Sequence, residues 1–168
     1  MNNPLSTSRW YWLAGISLVV LTVLGWLNSP IDRASGRPLL LVPEVKAVHD
    51  YQANARAWLN RFQSLDAEVA GLLIEPTGDL FSRSSQANQT VENAVSLTQR
   101  IDRTQAPLSL TSLHGAVKQA SLAYLEAARS ALIWVSTPSA ERLADAQAKL
   151  QIARQQVDQL KQSEWLIP

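Results

Sequence analysis

The polarity pattern divides this chain into two unequal parts. Between Arg9 and Asp32 no side chain carries a charge, and Trp10 to Leu27 reads WYWLAGISLVVLTVLGWL. At ~1.5 Å rise per residue such a stretch spans about 27 Å, enough for a thin hydrocarbon core. Trp10, Tyr11 and Trp12 at one end and Trp26 at the other stand where amphipathic rings favour the headgroup boundary. Asn28, Ser29 and Pro30 then break the helix. The pattern predicts one transmembrane helix over residues 10–28, preceded by a short tail, residues 1–9.

Residues 29–43, with Pro30, Gly36, Pro38 and Pro43, read as a linker, and a new period begins at Glu44. Val48, Tyr51, Ala55, Trp58, Phe62, Leu65, Val69 and Leu72 alternate gaps of three and four, the stripe of an amphipathic helix. Glu75 to Asp79, with Pro76 and Gly78, ends it. A weaker stripe, Ala87, Val91, Ala94, Thr98 and Ile101, predicts a second helix from about Leu80 to Thr104, interrupted at Ala106-Pro107. The third, from about Ser109 to Val135, carries Leu110, Leu113, Val117, Ala120, Tyr124, Ala127, Ala131 and Trp134. Thr137 as cap and Pro138 in the first turn would open a fourth, with Leu143, Ala146, Leu150, Ala153, Val157 and Leu160 inward. On its outer face the spacing pairs Asp145 with Lys149 and Arg154 with Asp158.

Four such helices on short connections predict an all-α, up-down-up-down four-helix bundle over residues 44–168. Ala positions facing Trp58, Phe62, Tyr124 and Trp134 would pack small against large. If the first of these helices leaves the membrane, the fourth returns to it. That brings Trp165-Leu166-Ile167-Pro168 near the bilayer, with Trp165 as a further interface anchor or the segment as a cap on the bundle base.

Composition narrows the chemistry. Hydrophobic residues make up 46% of the chain, rich in helix-favouring Ala, and charged ones only 17%. From Ile31 onward 14 basic residues face 14 acidic ones, which argues against a nucleic-acid surface. No cysteine is present, so disulfides, thiolate zinc sites, iron-sulfur clusters and covalent haem attachment are excluded. A cleaved signal peptide would need a more basic leader and small residues where Trp26, Leu27 and Asn28 stand, so the segment is expected to stay as an anchor. Arg9 against Arg33 and Arg37 leaves the positive-inside count nearly even, and the short leader favours a bundle outside the cytoplasm.

Two stripes are candidate contact surfaces. Gly15, Leu18, Thr22 and Gly25 share one face of the anchor, where small residues permit close helix approach in lipid. Leu122, Leu125, Leu132 and Ile133 fall off the core stripe of the third helix, either as extra core or as a docking patch for a partner chain. His49 and His114 lie at similar heights on two helices, which makes haem ligation conceivable, but His49 adjoins a stripe position and no further ligand accompanies either, so surface or rim histidines are expected instead. Asp66 and Glu68, two apart, point in different directions and make no catalytic pair. The metalloprotease, nucleophile-elbow, phosphate-loop and dinucleotide motifs are absent.

In its order of helices the chain resembles the periplasmic four-helix sensor modules of bacterial chemoreceptors, which also begin with a membrane helix. No residue motif carries the resemblance, and the sequence ends at Pro168 with neither a second membrane helix nor a cytoplasmic signalling segment, so it implies no ligand-binding residues. The expectation is a non-enzymatic, cofactor-free single-pass protein, an accessory or structural subunit of a larger membrane complex. The alternative is an extracytoplasmic sensing module with a small ligand inside the bundle near Tyr51, Trp58 and Tyr124.

Overall fold

The computed structural model describes residues 15–24, 43–74 and 79–166. The chain divides into two compact units, Met1–Lys46 and Ala47–Pro168. In the first, residues 15–24 are helical with every side chain exposed. Among the described residues no helix is long and apolar enough to cross a membrane. The rest of the expected span, including Trp10, Tyr11, Trp12, Gly25 and Trp26, lies outside the described residues, as do the tail and most of the linker.

The remainder is all-α, with no strand among the described residues. Helix α1 runs Pro43–Leu73, α2 Leu80–Arg103, α3 Thr111–Ser136 after a 3-10 turn at Leu108–Leu110, and α4 Ala140–Lys161. Pro43 opens α1 where its missing N–H has no helical partner to lose, and Glu44 adds a negative charge to the first turn. At the α1–α2 turn Arg83 donates to the Leu72 carbonyl at 3.0 Å and lies 5.1 Å from the Trp134 ring centroid, pinning that corner to α3. Ser139, two residues beyond the expected cap, caps α4 by accepting from the Arg142 N–H. Thr137 instead closes α3, its N–H and hydroxyl both reaching the Ile133 carbonyl.

Helix α3 packs on both α2 and α4. It also meets α1, its parallel neighbour, through stacked rings: Phe62 and Tyr124 lie 5.6 Å apart with planes 12° from parallel. Such placement buries α3 on several sides: Ser121, Leu125, Ala128, Ser130 and Val135 join the expected stripe in the core. Large α1 rings are accommodated because Ala120, Ala127, Ala128 and Ala131 are fully buried and small.

Helix α2 reaches the core despite its polar sequence. Thr90 and Thr98, both buried, donate to the carbonyls of Gln86 and Ala94 one turn back, so their hydroxyls need no other partner. Ser130 accepts from the Lys149 ammonium at 2.8 Å. Among the described residues every buried side-chain polar atom is hydrogen-bonded. The Asp145–Lys149 pair forms at 3.0 Å. Arg154 does not pair with Asp158: it reaches across to Asp66 of α1, and Asp158 pairs with Lys161. A forked guanidinium meets both Asp66 oxygens there, a geometry that an i,i+4 pair on one helix surface seldom matches.

Phe62→Ala, which removes a fully buried ring, should lower the unfolding free energy of the full chain by about 3–5 kcal/mol in denaturant titrations, whereas Ser139→Ala should cost about 1 kcal/mol. Equal losses at both positions would contradict this assignment of core and cap.

Candidate functional site

Two polar clusters join helices along the seams of the bundle, and one groove lies on its outside. The lower cluster begins with Tyr51, whose hydroxyl shares a 2.8 Å hydrogen bond with His114 Nδ1. Its ring stands edge-on to Trp58 at 5.7 Å and to His114 at 6.0 Å. His114 is thus half-buried and engaged, while His49 is exposed. No group of three or more His, Cys, Asp or Glu able to hold a metal is found among the described residues.

In the upper cluster Asp66 accepts from Arg154 at 2.7 and 3.0 Å and from the Tyr124 hydroxyl at 3.2 Å, so one carboxylate joins α1, α3 and α4. Glu68 faces the other way and accepts from the Asn93 amide of α2 at 3.0 Å. The two acids therefore serve different neighbours, as their spacing implies. Of the residues expected around a ligand inside the bundle, Tyr51 is bonded to His114 and edge-on to Trp58, and Tyr124 is bonded to Asp66 and stacked on Phe62.

Trp58 borders a different space. A groove of about 680 Å³ runs between α1 and α2, floored by Trp58, Leu65 and Leu97 and walled by Arg61, Arg100 and Arg103. Its single acid is Glu68, already bonded to Asn93. The volume falls in the range of small-molecule pockets.

The residues expected to form contact surfaces separate. Gly15, Leu18 and Thr22 are exposed, and a Cβ at Gly15 would meet nothing within 4 Å. Leu125 is buried and Leu132 packs partly against the core, leaving Leu122 and Ile133 exposed three turns apart, with Glu126 and Arg129 exposed between them. Trp165 is exposed, while Leu166 closes onto the core. Ile74, Leu80 and Phe81, which the periodicity did not single out, gather at the α1–α2 turn with exposures of 60–80%.

No likeness decides among these surfaces. The chain matches no protein-family model, no curated protein and no solved structure. What the polar clusters do chemically is hold protons and charges in place. Burial pushes the Tyr51 phenol up to about 12. The Tyr124 phenol is also raised well above its ordinary value, first by burial and then by the Asp66 carboxylate beside it.

Both tyrosines bind their protons more tightly folded than unfolded, so their stabilisation is complete below the ordinary phenol value of 10.0. It declines as pH rises from there, since the unfolded phenols ionise first. The unfolding free energy should fall between about pH 10 and 12, and Tyr51→Phe and Tyr124→Phe should each make that fall shallower, by up to about 1.4 kcal/mol per pH unit. An unchanged slope in both variants would contradict the burial of these hydroxyls.

Proposed function

We propose that this chain is a non-enzymatic, single-pass membrane protein whose helical domain serves as an accessory subunit of a larger membrane complex, with that domain outside the cytoplasm. The observation that carries the reading is the helix at residues 15–24. Ile16, Leu18, Val19, Val20, Leu21, Val23 and Leu24 point outward around its circumference, each about half exposed or more. A helix apolar on all sides needs lipid or protein around it. Its Thr22 hydroxyl donates to the Leu18 carbonyl at 2.8 Å, which satisfies that group without water, as a hydrocarbon setting requires.

Two further features favour a docked subunit over an isolated one. On the helix, Gly15, Leu18 and Thr22 present a shallow face on which a second helix would approach closely. On the bundle, Ile74, Leu80 and Phe81 form an apolar tip whose exposure a partner would relieve. Leu122 and Ile133 offer a smaller surface divided by charge.

Photo-crosslinkers at Thr22 and Phe81 in native membranes should each capture a defined partner chain, and carbonate washing should leave the protein in the membrane fraction. Release by carbonate contradicts the anchor, and monomer alone at both positions contradicts the subunit reading. The chain lacks cysteine, so Gln147→Cys on the exposed face of α4 gives a single reporter thiol. A membrane-impermeant maleimide should label it on intact cells; labelling only after lysis would place the domain on the cytoplasmic side.

A further inference from the structure

We propose that the α1–α2 groove binds a small organic anion, a carboxylate or phosphate carried on an apolar body. The inference stands apart from the membrane reading and rests on charge and shape. Arg61, Arg100 and Arg103 line one groove, and none of the three side chains has an ion-pair or hydrogen-bond partner among the described residues. Four other cations of the bundle are paired, Lys118 with Asp102, Lys149 with Asp145, Arg154 with Asp66 and Lys161 with Asp158, whereas the groove gathers three that are not. In a sequence whose charges balance from Ile31 onward, an uncompensated cluster of three guanidiniums is a local excess.

The register of the helices brings these groups together. Glu68 and Asn93 are hydrogen-bonded across the groove, and counting along the antiparallel helices from that pair sets Arg61 level with Arg100 and Trp58 level with Arg103. One half of the groove is thus cationic beside an indole, and the other half is closed by Glu68, whose charge would repel an anion. A ligand therefore enters with its anionic group at Arg61, Arg100 and Arg103. Guanidinium edges present paired N–H donors that fit the two oxygens of a carboxylate or phosphate. The body of the ligand lies on Trp58, Leu65 and Leu97, which supply the apolar floor that small-molecule sites usually have.

The same chemistry is carried by soluble metabolite anions and by phospholipid headgroups, and the test separates them. The full chain in nanodiscs of zwitterionic lipid is titrated calorimetrically with phenyl phosphate and with benzoate. Saturable binding at one site is expected, with Arg61→Gln and Arg100→Gln each weakening it by about tenfold or more, the loss of one charge-assisted pair. Arg129→Gln, on the exposed face of α3 away from the groove, should leave the affinity unchanged. Absence of saturable binding to both probes overturns the proposal, and so does equal weakening by Arg129→Gln, which would reduce the effect to general surface charge. All these positions are solvent-facing or groove-lining, and circular dichroism of each variant confirms that the helices persist. In nanodiscs containing anionic lipid, weaker apparent binding of phenyl phosphate to the native chain but not to Arg61→Gln assigns the site to a headgroup. Unchanged affinity there assigns it to a soluble anion.

Discussion

The architecture depends on the contact between α1 and α3, two parallel helices that meet across the bundle through the stacked rings of Phe62 and Tyr124. Sequence neighbours in an antiparallel bundle touch through their short connections in any case. The diagonal contact is different, since it must be supplied by side chains. Tyr51, Trp58 and Phe62 from one side and His114 and Tyr124 from the other build it, and the fully buried alanines of α3 leave room for them. Aromatic pairs contribute about 0.5–1.5 kcal/mol beyond the area they bury, and their geometry restricts how the two helices rotate.

Polar groups sharpen what the rings establish. Asp66 is placed by α1, gripped by Arg154 of α4 and approached by the Tyr124 hydroxyl of α3, so a one-turn slip of any of these helices would strand a partly buried charge. At the opposite side Glu68 and Asn93 fix the register of α1 on α2. That register is also what leaves three arginines along one groove. Specificity of packing and the character of the outer surface therefore share a cause: two acids, two residues apart on α1, look in different directions and dictate which neighbours sit where.

Much of the fold was legible because period-3.6 stripes survive in all four helices: the expected inward positions of α1, α3 and α4 are buried apart from the half-buried Val48 and Leu143, and α3 buries five residues more. The start of α4 was misplaced because Thr137 and Ser139 are both capable caps, and the end of α3 claims the former. The pairing of Arg154 was misassigned because helix-surface spacing carries no information about a neighbour 88 residues away. Two faces of α3 could not be separated either: Leu125 is core and Leu122 is not, a distinction set by where the neighbouring helices lie. The groove was invisible for the same reason. Arg61 lies on one helix and Arg100 and Arg103 on another, and only the α1–α2 register makes them neighbours.

Functionally, the molecule combines a satisfied interior with unsatisfied exteriors: an apolar helix at residues 15–24, an apolar tip at Ile74, Leu80 and Phe81, and an uncompensated cationic groove. The tip and the groove are placed by the bundle that the α1–α3 contact locks. The most direct test is a nuclear Overhauser experiment on the full chain with labelled aromatic rings. Strong cross-peaks between the Phe62 and Tyr124 ring protons are predicted from their 5.6 Å centroid separation. Their absence in a folded, helical sample would contradict the diagonal contact and the arrangement built on it.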